Sequence, residues 1–180
     1  MNGEIAVICS RADPASLNIF ECLLKMQDWK TGEGYVFSGR WRLVIHEGKQ
    51  STLSHLDEML TARSLKPELI VFASRHEAKS ALPWLGGHFT GVMEEEKFSL
   101  SAAAPFALRS FLHNLRDISL PGYALSAEAT HHGPADVTTP CFFAEIGSTE
   151  REWRDPQAGR AVARAILALE EKEGPVFLGL

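Results

Sequence analysis

Five apolar residues, Leu69-Ile70-Val71-Phe72-Ala73, run without a spacer into Ser74-Arg75-His76, and this block most constrains the fold. An unbroken apolar run of this length reads as a strand buried on both faces, the kind found in parallel sheets covered by helices. Glu4-Ile5-Ala6-Val7-Ile8-Cys9 is a second short run of the same type. Asp13-Pro14 follows it, an N-cap with proline at the first helical position, where the missing N–H costs nothing. Leu17, Phe20, Leu23 and Leu24 recur at helical spacing and predict a helix over 14–26.

The alternation continues along the chain. Trp41 to His46 reads as a strand, and Leu53, Leu56, Met59 and Leu60 place a helix over 52–63. Residues 75–98 are polar, carry Gly and Pro, and read as mostly loop. Apolar positions from Leu100 to Leu115 predict a helix over 101–116, with Pro105 in its first turn. Tyr123 to Glu128 and Cys141 to Ile146 read as strands. Asp155-Pro156 opens a helix expected to end at Gly174-Pro175, and Val176-Phe177-Leu178 could begin a last strand. Strands alternating with helices imply one α/β domain over 1–180, with a mixed, largely parallel central sheet flanked by helices.

Hydrophobic residues make up 45% and charged residues 23%, a globular balance that excludes disorder. No apolar run approaches the roughly 20 residues that span a bilayer, so no membrane partner is expected. The opening residues lack the basic and apolar regions of a signal peptide. Cys9, Cys22 and Cys141 are odd in number and fit no zinc or redox spacing, which predicts a reduced, cytoplasmic chain. Eighteen Lys+Arg against 23 Asp+Glu gives a net charge of −5. That argues against wrapping DNA or long RNA, because such binding comes largely from phosphate neutralisation. A local patch could still grasp one end of an RNA. A monomer is the simplest expectation.

Ligands of open α/β sheets bind beyond the carboxyl ends of the strands. Ser10-Arg11, Ser74-Arg75-His76, Glu128-Ala129-Thr130-His131-His132-Gly133-Pro134 and Glu145-Ile146-Gly147-Ser148 all follow or close strands. The fold should bring these four strand ends to one rim. Residues 120–148 contain Glu128, Asp136, Glu145, His131 and His132, but neither Lys nor Arg. Carboxylates and imidazoles without competing cations suit a zinc site or a general-base site, and the spacing alone does not choose. Successive side chains of a strand point opposite ways, but in a turn at Gly133-Pro134 either or both histidines could face a pocket. Glu145 sits in an otherwise apolar strand and must be paired, or neutral with a raised pKa. His46, His55 and His113 read as surface or hydrogen-bonded histidines, and Cys9 and Cys141 as buried, unreactive thiols.

Taken in order, the SRADPASLNI segment at 10–19, Phe72-Ala73-Ser74-Arg75-His76, the EATHHGP block at 128–134 and EIGS at 145–148 followed by Trp153 resemble the archaeal and plant type of D-aminoacyl-tRNA deacylase. The resemblance runs through essentially the whole chain. It implies hydrolysis of the ester joining a D-amino acid to the 3′ end of tRNA, bound zinc, and a fold similar to peptidyl-tRNA hydrolase and the phosphorylase/hydrolase-like proteins. Two departures stand out. Members usually continue beyond the segment matching 174–180 into a glycine-rich, histidine-bearing stretch, and they tend to carry Gly-Asn where this chain has Gly91-Val92. Under this reading His76, His131, His132 and Glu145 are the catalytic candidates, and His131, His132 and Glu128 the zinc ligands. Ser10, Arg11, Ser74, Arg75, Gly133, Gly147 and Ser148 would bind the acceptor end, with N–H groups near Gly133 or Gly147 facing the oxyanion. The alternatives are a zinc-dependent hydrolase of another small ester, amide or nucleoside, and a non-catalytic binder of the tRNA acceptor end.

Overall fold

The structure is a computed structural model that describes residues 3–94, 97–170 and 174. In chain order its elements are β1 (Ile5–Ser10), α1 (Pro14–Leu24), β2 (Lys30–Thr31), β3 (Val36–Ser38), β4 (Trp41–His46), α2 (Leu56–Ala62) and β5 (Leu69–Arg75). They are followed by β6 (Trp84–His88), β7 (Gly91–Glu94), β8 (Lys97–Leu100), α3 (Pro105–Ile118), β9 (Ala124–Ala127), β10 (Cys141–Gly147), α4 (Glu150–Trp153) and α5 (Pro156–Leu167).

Eight strands form one sheet in the order β2-β3-β4-β1-β5-β10-β6-β9. Strands β4, β1, β5 and β10 run parallel through its centre, whereas β6 lies antiparallel to β10 and β9 follows β6. The sheet is mixed and largely parallel, as the alternation of segments predicts. Strands β7 and β8 pair separately as an antiparallel hairpin.

Side-chain alternation divides the core between two faces. Ile5, Val7, Leu69, Val71, Phe142 and Ala144 face the layer of α1, α3 and α5. Ala6, Ile8, Val44, Ile70, Phe72 and Phe143 face the other way, where Leu56 and Leu60 of α2 cover them. A single seven-residue helix cannot cover eight strands. The surface beyond it, over β10 and β6, is left to the chain between β9 and β10.

Asp13 is the local device that ties the parallel strand ends together. Its Oδ1 accepts from the N–H groups of Ala15 and Ser16, capping α1, and Pro14 begins the helix. Its Oδ2 accepts from Arg75 N–H at 2.9 Å and from Ser74 Oγ–H at 3.2 Å, clamping the end of β5. Asp155 and Pro156 repeat the cap at α5.

Several boundaries differ from the sequence expectation, each for a local reason. Residues 75–98 are not mostly loop. They supply β6 and the strands of the hairpin. Gly86-Gly87 disguises β6, because glycine has little strand preference. Here the missing Cβ atoms allow close pairing: one at Gly86 would lie 2.0 Å from Ser126 O, and one at Gly87 2.2 Å from Phe143 O. Helix α2 begins only at Leu56, because Gln50–Thr52 forms a 3-10 turn and His55 adopts a left-handed conformation. Helix α3 begins at Pro105 rather than 101, because Ala102 and Ala103 bridge to Cys141.

Helix α5 stops at Leu167, well before Gly174. Its last carbonyls are met from outside: Asn114 donates to Ala165 O and Ala168 O, and the Arg40 guanidinium donates to Leu169 O. Strands β2 and β3 and helix α4 have no counterpart in the sequence expectation. The expected strand at Val176-Phe177-Leu178 lies outside the described residues.

Asp13→Ala removes an N-cap, worth about 1 kcal/mol, together with hydrogen bonds to a charged acceptor. Urea denaturation should show a loss of roughly 2–3 kcal/mol. A loss below about 0.5 kcal/mol would mean that the clamp does not hold β5 to α1.

Candidate active site

The alternation that builds the core on the α2 side turns polar at the strand ends. Phe72, Ser74 and His76 follow one another on that face, as do Phe143 and Glu145 on the neighbouring strand. His88 arrives from β6 opposite Phe143, and its ring stacks on that phenyl at 5.0 Å and 3°. Glu145 pairs in register with Ser74 on one side and Gly86 on the other, so its carboxyl emerges beside a position with no side chain.

The EATHHGP block reaches this place by a route the sequence did not suggest. Strand β9 runs against β10, so its carboxyl end points away from the rim formed by β1, β5 and β10. The chain after Ala127 turns back over the sheet face that α2 leaves bare. Gly91 N–H donates to His132 O, and Thr90 and Ser101 hydroxyls donate to Pro134 O, pinning it there. His132 has φ of 41°, a left-handed conformation uncommon for histidine.

A cleft of about 310 Å³ opens between these segments, lined among others by Asp13, Gln50, Ser74, His76, His132 and Glu145. Two groups of donors meet at its base. His88, His131 and His132 each offer a ligand atom within 4.8 Å of the others, and His76, Glu128 and Glu145 do the same. Glu145 Oε2 stands between them, 3.6 Å from His88 Nε2 and 3.9 Å from His76 Nδ1. His76 Nδ1 lies 3.0 Å from Glu128 Oε2 in an ion-pair contact that is not a linear hydrogen bond.

The three clustered imidazoles share one kind of backbone contact. Nδ1 of His88, His131 and His132 lies 2.8 Å from the carbonyl oxygen of Phe89, Ala129 and Gly133 respectively. A carbonyl can only accept, so each Nδ1 carries the proton and each Nε2 keeps its lone pair. This is the tautomer of a histidine prepared to ligate a metal through Nε2. Burial pushes the pKa of His88 down. Burial, with the neighbouring His88 and His131, takes His132 down to about 4. The fully buried His88 Nε2 has no hydrogen-bond partner among the described residues. A buried donor or acceptor left unpaired points to a ligand, and nitrogen lone pairs beside carboxylates are a donor set that a divalent metal fits.

Glu145 is 1% exposed, and desolvation raises its carboxyl pKa to about 8 against the pull of His76. Without a cation it is a neutral acid at pH 7, able to donate a proton.

The other expected residues are distributed more widely. Arg75 lines the cleft, its guanidinium stacked 5.0 Å over Trp153, whose indole N–H donates to His76 O. Ser74 spends its hydroxyl on Asp13, and Ser148 donates to Leu82 O. Ser10 is buried, donates to Gly48 O and accepts from Ala12 N–H, so it shapes the turn after β1. Arg11 faces outward and pairs with Glu47. Gly133 packs near Ser51 O, and Gly147 forms a seat for the His76 ring.

His88, Asp13 and Gln50 belong to the site but were not foreseen as site residues. For His88 the sequence signal was the preceding Gly86-Gly87, a pair that opens space beside a strand. Gln50 is held through Nε2 by the carbonyls of Ile8 and Ala73, which requires long-range contact no local pattern reveals.

Fold and cleft together define the class: a mixed, largely parallel α/β sheet whose strand ends carry imidazoles and a buried acid. A family model described as D-aminoacyl-tRNA deacylase matches residues 63–180. A D-aminoacyl-tRNA deacylase of Methanothrix thermoacetophila is 51% identical over 98% of this chain and 68% of its own length. Those of Methanococcoides burtonii and Methanosarcina mazei are 38% and 35% identical over 98% and 99% of this chain, and over 40% and 66% of their own. The chain belongs to the D-aminoacyl-tRNA deacylase family, and it spans between two fifths and about two thirds of these relatives.

Among solved structures, a conserved protein of unknown function is 31% identical with a TM-score of 0.86, covering 97% of this chain and 65% of that one. The purine nucleoside phosphorylase of Toxoplasma gondii matches at 10% identity and TM-score 0.55, over 93% of this chain and 91% of its own, and shares the fold. No helix among the described residues is long and apolar enough to cross a membrane.

Two outcomes test the site's physical chemistry. A carboxyl whose pKa rises from 4.5 to about 8 on folding stabilises the native state fully below pH 4.5, and that contribution is lost as pH rises through 8. In metal-free protein, the stability of wild type relative to Glu145→Gln should therefore fall across this window. The slope should approach roughly 1.4 kcal/mol per pH unit, and a flat or rising difference would refute it. A methyl at Gly147 would lie 2.7 Å from the His76 ring. Gly147→Ala should thus displace His76 and move its NMR signals while those of α3 and α5 stay in place.

Proposed function

We propose that this chain hydrolyses the ester between a D-amino acid and the 3′ end of tRNA, releasing both. The observation that carries this reading is the set of three imidazoles, each with Nδ1 held by a backbone carbonyl, beside the buried carboxyl of Glu145, in a chain of this family. The tRNA acceptor end carrying a D-amino acid and the cytoplasm in which tRNA is charged follow as partner and location.

Zinc is the proposed metal, held by Nε2 of His88, His131 and His132. When bound it supplies Lewis acidity, polarising the ester carbonyl and easing deprotonation of water. The chain's own residues do the rest. His76, faced by Glu128 at Nδ1, takes the proton of the attacking water at Nε2. His76 then returns that proton to the ribose oxygen as the ester bond breaks, while the Glu145 carboxyl, 3.9 Å from His76 Nδ1, balances the charge on the ring. Arg75, its guanidinium 5.0 Å over the Trp153 ring, presents its fork to the terminal phosphate. Asp13 holds Ser74 and Arg75 in place, and the α2-side core keeps the base of the cleft dry.

Purified protein should release D-amino acids from tRNA faster than L-amino acids, measured with the two enantiomers on one tRNA. Equal rates, or no release from either, would overturn the reading. His76→Ala should lower kcat by about 10²–10⁴-fold with zinc content retained. Zinc should be stoichiometric in the wild type and lost from a His88→Ala/His132→Ala variant. Retained zinc would sink the ligand assignment.

A further inference from the structure

A second concavity lies on the far side of the turn after β1. It occupies about 650 Å³ between α1 and the corner joining α4 to α5. Arg11, Lys25, Arg154 and Arg160 line it, with Glu21 the one carboxylate among its lining residues. Ala12 lines both this groove and the catalytic cleft, so the two meet at one residue.

Charge is the first reason to regard it as built for a polyanion. The chain carries −5 overall, yet four cations collect here. Arg11 and Arg154 have exposed partners in Glu47 and Glu150, contacts that solvent keeps weak. Lys25 and Arg160 form no ion pair among the described residues. Both act electrostatically on Cys22 in the groove wall, so their fields overlap there and raise the local potential, which phosphate binding would relieve.

Rigidity is the second reason. The groove floor is a tight crossing of α1 on α5, where a Cβ at Gly159 would lie 2.2 Å from Asn18 Oδ1. Asn18 Nδ2 donates to the carbonyls of Trp153 and Asp155, locking the α4–α5 corner to α1. The cations therefore project from a fixed frame. Trp153 in turn holds His76 through its indole N–H, so the groove and the catalytic face share one support.

We propose that this groove binds the phosphate backbone of the RNA strand whose 3′ end enters the cleft, with Lys25 and Arg160 as its phosphate-binding pair. The inference rests on the tRNA-ester reading and adds the track by which the substrate's body is held. Shape and charge read there are independent of base sequence. Discrimination between amino acids therefore falls to the cleft alone.

The test compares D-aminoacyl-tRNA with D-aminoacyl-adenosine, which keeps the ester but lacks the strand. In a Lys25→Glu/Arg160→Glu variant the ratio of kcat/KM for the two substrates should fall at least tenfold, through KM of the tRNA. Lys25→Arg/Arg160→Lys should hold that ratio within about twofold. Lys25→Gln/Arg160→Gln serves if the reversal does not fold, with the same direction expected. For uncharged tRNA, the slope of log affinity against log salt should become shallower by about one to two, as for one or two lost phosphate contacts. An unchanged ratio and slope in the reversal or Gln variants would overturn the groove. If the wild type cleaves neither ester, the catalytic reading fails by itself. The uncharged-tRNA measurement then decides the groove: weaker binding in the variants sustains it, and equal binding overturns it.

Discussion

The burial of the Glu145 carboxyl is the constraint around which this molecule is arranged. A carboxylate taken out of water costs several kcal/mol unless a proton, a cation or several donors accompany it. The strand that carries it is apolar on both faces and could not be placed elsewhere than mid-sheet. The fold answers by surrounding the group with His88, His76 and Ser74 and by leaving Gly86 beside it without a side chain. With no cation beside it, desolvation lifts the carboxyl's pKa to about 8. The same burial ties the group's charge to its neighbours, because a cation brought to the imidazole 3.6 Å away would favour the ionised carboxylate.

Everything else at the site follows from how chain is brought to that carboxyl. Three parallel strands end at one rim, and the Asp13 carboxylate holds the end of β5 against the first turn of α1. The fourth contribution depends on the antiparallel return of β6, which brings His88 alongside Phe143, and on a helix layer that stops short. Because α2 covers only part of its face, residues 128–136 can fold across the remainder and bring His131 and His132 against His88. Backbone carbonyls then set the three tautomers without any further carboxylate. That economy leaves Glu128 free to face His76.

The two concavities divide the proposed labour by their chemistry. The cleft mixes imidazoles and acids with Lys49 and Arg75, whereas the groove across Ala12 gathers four cations against the single carboxylate of Glu21. Net charge averages over both and so misleads. A value of −5 describes the solvated surface as a whole, while the field at a site depends on charges within about a Debye length, near 10 Å.

The sequence by itself determined the class of the sheet, the central strands and the helix starts at Pro14 and Pro156. These depend on periodicity and capping, which act over a few residues. It also singled out His76, Glu128, His131, His132 and Glu145, because carboxylates and imidazoles near apolar strands are conspicuous wherever they fall. Only the tertiary structure decided their partners. Glu128 joins His76 and Glu145 rather than the paired histidines, His88 completes the imidazole cluster, and Ser10 and Ser148 turn out to be hydrogen-bonded to backbone. Strand β6 was invisible because its glycines are chosen for close contact with β9 and β10, a requirement imposed by chain more than 35 residues away. Local patterns encode which face a residue takes. What stands opposite that face is set by strand order and direction, and those are settled only when the whole sheet assembles.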